Sequence, residues 1–150
     1  MATGEYLKTA AASLRSAVVS LQQQAQAMVK AMARFEVSGG LTTTDDIPLN
    51  QRLNPIVPLQ WAYPNGWAPL HFLTVRGLER YGYHDDAKRI ATKWLRTNLI
   101  WFEGHGVFLE KYNVVEPDKP PTKGVYPSQT GFGWTNAVFE RFCRDYVDVV

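Results

Sequence analysis

A chain of 150 residues, 45% of them hydrophobic and 13% aromatic, has enough apolar material for one globular core. Sixteen basic against fourteen acidic side chains leave a net charge of +2, with no basic run longer than Lys88-Arg89, so no stripe matches successive phosphates and nucleic acid is not an expected partner. No stretch reaches the ~18 consecutive apolar residues of a membrane span, and the single cysteine, Cys143, excludes an internal disulfide.

The first 36 residues predict one long helix. From Tyr6 to Phe35, apolar or small side chains fall at Leu7, Ala11, Leu14, Val18, Leu21, Ala25, Met28, Met32 and Phe35, alternating four and three apart with no Pro or Gly. Such a stripe fits a coiled coil with another chain, making a homo-oligomer, or packing inside a larger helical domain, and packing is the preferred reading. Gln22-Gln23-Gln24 stand where a signal peptide would need a small-residue cleavage site, so the expected location is cytoplasmic. Gly39-Gly40 is expected to stop the helix. Thr42 to Pro58 then reads as an irregular connection, and residues 37–68 as one loop region.

Within that loop, Gln60-Trp61-Ala62-Tyr63-Pro64-Asn65-Gly66-Trp67-Ala68-Pro69 packs two indoles, two amides and two prolines into ten residues. Indoles stack on sugar rings and amides bond to hydroxyls, so the composition suits a carbohydrate site. It suits a well-packed loop ahead of a helix equally well.

Residues 69–103 predict an antiparallel helical hairpin: a first helix carrying Leu70, Leu73, Leu78 and Tyr81 to Gly82, then a second N-capped by Asp85 and ended at Gly104 to Gly106. Trp94 and Trp101 read as structural on the second. Residues 104–134 are loops, with a short extended piece from Val107 to Val115 and a Pro- and Lys-rich turn from Glu116 to Lys123. Residues 135–150 form the last helix, capped by Thr135, with Val138, Phe139, Phe142 and Tyr146 inward. The fold class is thus all-α, with a site at one end of the helices. His71, His84 and His105 lack metal-ligand spacing, so no metal is expected. Gly104-His105-Gly106 and Gly131-Phe132-Gly133 lack a phosphate-loop context, so no cofactor is expected.

The ten-residue stretch resembles the second signature of the trehalase family of glycoside hydrolases, with Ala62 in place of the family's Asp. Leu109-Glu110-Lys111-Tyr112-Asn113-Val114 is similar to its Glu-Lys-Tyr block. Tyr126-Pro127 and Gly131-Phe132-Gly133-Trp134-Thr135-Asn136 resemble its Tyr-Pro and Gly-Phe-Gly-Trp-Thr-Asn segment, and Phe35-Glu36-Val37 with Gly39 to Thr43 adds to the likeness. The resemblance covers residues 24–150. It implies an (α/α) toroid of which these are the last helices, and a small carbohydrate substrate, trehalose or a related glucoside, cleaved with inversion.

Inverting hydrolysis uses two carboxyls, one acid and one base. The resemblance makes Glu110, set between Phe108-Leu109 and Tyr112, the general base. Gln60 and Asn65 are the candidate hydroxyl partners, Trp61, Trp67 and Trp134 the candidate stacking walls, with Trp67 and Trp134 equally placed to staple a helix start, and Tyr126 and Phe132 are expected at the opening. Nothing between Met1 and Leu59 looks like the family's acid signature, so the acid is expected on a missing N-terminal segment and the chain alone is expected to be inactive. Val125 stands where the family commonly has a Glu, and the usual Gly-rich run is here Pro120-Pro121-Thr122-Lys123-Gly124. A non-catalytic carbohydrate-binding or oligomerisation module built on the same fold is the alternative reading.

Overall fold

A computed structural model describes residues 2–46 and 60–147, and divides them into two compact units, 1–34 and 35–150. The first unit is essentially one helix, α1 (Ala2–Met32), followed by a 3-10 turn at Ala33–Phe35. Its heptad stripe is largely solvated, with Leu7, Leu14, Leu21 and Met28 all exposed.

The second unit opens on a two-stranded antiparallel hairpin, β1 (Glu36–Val37) and β2 (Gly40–Leu41), in the register Glu36 opposite Leu41. The sequence predicts helix through residue 36 and a loop from residue 37; the helix instead ends at Met32, and Glu36 already pairs in the hairpin. Gly40 has φ +136 and a Cβ on it would run into His71, so the tight turn and the close approach both require glycine. Three successive turns of helix α3 (His84–His105) hold the hairpin. Arg89 donates to both Glu36 oxygens (2.8 and 2.9 Å), Lys93 Nζ reaches Glu36 at 2.7 Å and the Val37 carbonyl at 2.9 Å, and the Thr97 hydroxyl donates to the Gly39 carbonyl at 2.8 Å. Spacing of four places all three side chains on one helix face. The Arg89 guanidinium, with Lys93, holds the Glu36 carboxyl down at about 2 despite its partial burial.

Helices α2 (Ala68–Arg80) and α3 form the expected antiparallel hairpin, and α4 (Gly133–Tyr146) packs on both. The expected caps differ. α3 begins one residue before Asp85, with Tyr83 as its N-cap, because Gly82 turns the chain at φ +82 and the Tyr83 N–H closes on the Leu78 carbonyl. Asp85 and Asp86 instead lie in the first turn, where carboxylates meet the positive helix end. The helix runs through Gly104 and ends on Gly106 at φ 70. α4 begins at Gly133 with Phe132 as N-cap, so Thr135 is already in the first turn. Its hydroxyl is buried with no hydrogen-bond partner among the described residues. Residues 47–58 of the expected irregular connection, and 148–150 of the last helix, lie outside the described residues.

A second ribbon pairs β3 (Asn65–Trp67) with β4 (Lys111–Asn113), Gly66 opposite Tyr112. Only β4 falls in a stretch read as extended. Over this ribbon lies the core: Trp94 stacks on His71 at 4.1 Å and meets Tyr112 edge-on at 5.4 Å, above Val75, Ile90 and Val114. His71 is the polar pin in it. Its Nδ1–H donates to the Trp67 carbonyl and its Nε2 accepts the Leu41 N–H, each at 2.8 Å, which requires the neutral ring. Burial pushes its pKa down to about 4. The fold class is all-helical apart from these two short ribbons.

Candidate active site

Glu110 lies just before β4, and its backbone N–H donates to the Gln129 carbonyl at 2.9 Å. The side chain is wholly buried, yet takes part in no ion pair among the described residues. Two neutral donors hold it instead. Gln60 Nε2 donates to Oε1 at 2.7 Å, and the Tyr126 hydroxyl donates to Oε2 at 3.2 Å. A carboxylate only accepts, so the Gln60 amide must turn its nitrogen toward Glu110. Its oxygen is left buried without a hydrogen-bond partner among the described residues, lying against Gly124, where any Cβ would run into it. The Tyr126 bond is longer than usual for O–H···O, and this side chain is 44% exposed. Loss of solvent around its hydroxyl, and then the negative Glu110 it faces, push the Tyr126 phenol above its ordinary value, so it stays a donor.

Beside this polar pair stands an aromatic group. Trp61 lies flat on Trp67, centroids 3.7 Å apart and planes 5° from parallel, and Trp134 meets them edge-on at 6.1 and 5.9 Å. Phe132 leans on Trp134 at 4.7 Å. The three indoles expected as walls therefore divide. Trp67 is 1% exposed and gives its face to Trp61, whereas Trp61 (41%) and Trp134 (37%) keep surface for a ligand. Lys111, paired across the ribbon with Trp67, is buried with its ammonium 5.9 Å from that ring. Burial lowers its pKa and the neighbouring Glu110 opposes the shift.

Asn65 sits differently from the other polar residues. It is wholly buried in β3, and both ends of its amide are engaged by Thr122: Nδ2 donates to Thr122 Oγ1 at 2.7 Å, and Oδ1 accepts the Thr122 N–H at 3.1 Å. Sequence reasoning passed over Thr122 and Gly124, because they touch the site only through partners more than fifty residues away. The replacement of a Gly-rich run by Pro120 to Gly124 was the one available signal. The structure thus brings together Glu110, Gln60 and Tyr126, and separately Trp61, Trp67, Trp134 and Phe132. A further apolar groove of about 430 Å³ lies between α2 and α4, lined by Pro69, Phe72, Leu73, Trp134 and Val138 with Arg141 at its side.

The second unit is thus built of helical hairpins whose loops present a buried carboxylate beside stacked indoles. The family model described as Trehalase matches residues 2–147. A probable trehalase of Oryza sativa subsp. japonica is 46% identical over 90 residues, covering 58% of this chain and 16% of that protein. A cytosolic neutral trehalase of Emericella nidulans is 37% identical over 134 residues, covering 78% of this chain and 17% of that protein. Among solved structures, neutral trehalase from Saccharomyces cerevisiae superposes with a TM-score of 0.66 at 32% identity, over 85% of this chain and 21% of that one. The chain belongs to the trehalase family, and its helices are part of an (α/α) toroid. It spans about one-sixth to one-fifth of the length of these relatives.

Proposed function

We propose that this chain supplies the general-base part of a trehalase-type glycoside hydrolase that cleaves α,α-trehalose, or a related glucoside, with inversion. The observation that carries the reading is Glu110, a buried carboxylate aimed by two neutral donors and taking part in no ion pair among the described residues. In the reaction a water attacks the anomeric carbon and passes a proton to Glu110 as the glycosidic bond breaks. A second carboxyl, about 6.5–9.5 Å away, protonates the departing oxygen. That acid is expected from sequence beyond residues 1–150, and these residues alone are expected to be inactive.

The loose Tyr126 contact is the natural point for water to reach Oε2, since displacing a long hydrogen bond costs less than breaking the 2.7 Å bond from Gln60. Trp61 and Trp134 would flank the sugar, with Phe132 behind Trp134. Gln60 and Trp67 serve the site from within, one by orienting the base and the other by backing Trp61. The relatives' names as cytosolic trehalases support a cytosolic setting.

The test is Glu110→Gln in a polypeptide carrying the full family span. Removing a general base should lower kcat by about 10²–10⁴-fold. Turnover within a few fold of the parent would overturn the assignment, as would trehalose hydrolysis by the 150-residue chain that survives the same substitution.

A further inference from the structure

We infer that the Asn65–Thr122 pair is a clasp: it holds residues 117–126 across the site and so aims Gln60 and Tyr126 at Glu110, making Thr122 a positioning residue for the base. The inference rests on the proposed role of Glu110 for its purpose, though the clasp itself is geometric. Three observations carry it. First, the two residues close a ring of reciprocal hydrogen bonds at 2.7 and 3.1 Å, using every polar atom of the Asn65 amide but one hydrogen. Second, the Asn65 backbone is anchored on both sides. Its N–H donates to the Ala62 carbonyl, its carbonyl accepts both the N–H and the hydroxyl of Thr43, and it lies in register with Asn113.

Third, every second residue of the strap meets the site. Thr122 is clasped, Gly124 lies against the Gln60 side chain, and Tyr126 donates to Glu110. Gln60 would otherwise have open space where Gly124 now confines it, and its 2.7 Å bond to Glu110 would lose that backing. Pro120 and Pro121, just before the clasp, narrow the conformations the strap can visit when released. Removing the hydroxyl of Thr122 therefore breaks a side-chain link between the strap and β3 without touching Gln60, Tyr126 or Glu110.

The experiment uses the 150-residue chain labelled with ¹⁵N, as parent, Thr122→Val and Thr122→Ser. Valine keeps the shape and leaves Asn65 Nδ2 without its acceptor, so the backbone amides of Lys119, Thr122, Lys123, Gly124 and Val125 should exchange about fivefold faster, the loss of one ordinary hydrogen bond. The Gln60 side-chain amide, marked by its carboxylate partner, should move toward the free-amide position, and Thr122→Ser should restore both signals. Faster exchange with an unmoved Gln60 resonance would overturn the positioning role, because the pair would then be local packing only. Unchanged exchange would overturn the clasp itself, and if the valine chain fails to fold, a Thr122→Ser chain that does not match the parent in both signals does the same. Adding trehalose to the parent separates the two claims: a Trp61 indole resonance blind to sugar counts against the trehalose reading while the valine result still decides the clasp.

Discussion

Acidification from pH 7 toward pH 4 should destabilise the second unit through His71. The ring is fully buried and neutral, with Nδ1 donating to Trp67 and Nε2 accepting from Leu41, so a proton on Nε2 would both charge the core and break the bond to the hairpin. Its folded value of about 4 lies below the 6.5 of an unperturbed histidine. Between those two values the unfolded chain binds the proton and the folded chain does not, so stability falls as pH falls. The slope approaches about 1.4 kcal/mol per pH unit and totals about 3 kcal/mol by pH 4, a large share of a typical domain's 5–15 kcal/mol. Urea unfolding followed by tryptophan fluorescence at half-unit steps from pH 7.5 to 4.5 measures it, and the window lies above the range where Glu36 protonates. His71→Gln, though less stable at neutral pH, should show a flatter profile. A parent whose urea midpoint stays constant from pH 6.5 to 4.5 would refute the reasoning.

Glu36 should act in the next window. Its depressed carboxyl contributes above pH 4.5 and that contribution is lost as pH falls toward about 2, so Glu36→Gln should lower the urea midpoint at pH 7 by the equivalent of about 1–3 kcal/mol and flatten the acid limb. Gly66→Ala places a Cβ 2.5 Å from Val114 Cγ1 and 2.7 Å from the Leu41 carbonyl, and overpacking of this kind costs about 1–3 kcal/mol. Gly77→Ala, in α2 with nothing within 4 Å, should instead gain up to about 1 kcal/mol, so opposite shifts in melting temperature are expected from the two substitutions. Trp61→Ala in the full family span should weaken trehalose about tenfold in KM, the stacking share of one aromatic face. A KM unchanged by that substitution would remove Trp61 from the site.

The helices were legible because their signals are local. The four-three spacing from Leu7 to Phe35, Pro69 ahead of an apolar run and Gly106 after one each act within a turn or two. The two ribbons were not, since their strands are two or three residues long and Trp67 meets Lys111 across more than forty residues, a pairing no period announces. Caps at Asp85 and Thr135 failed for a related reason. The right residue types stood near each helix start, but the preceding turn, not the side chain, set where the first hydrogen bond closed. At the site, the motif resemblance pointed to Glu110, Gln60 and Tyr126, which do converge. What it could not convey is that the Asn65 amide faces Thr122 and that Trp67 is sealed beneath Trp61, because both depend on which of several polar or aromatic neighbours wins a contact made at long range.

The hydrogen bonds that build the second unit join positions far apart in sequence: Leu41 to His71, Gly39 to Thr97, Glu36 to Arg89, Gln60 to Glu110 and Ser38 to Val115. A high-contact-order network of this sort forms late, after chain-closure entropy has been overcome several times, and it offers little partial reward on the way. Early folding species should therefore hold α2, α3 and α4 as helices while Glu110 and its donors remain apart. Carboxylate, amide and phenol would then assemble in the same cooperative step that locks the hairpin onto α3, so proteolytic nicking between residues 60 and 126 is expected to dismantle the site as a whole rather than trim it.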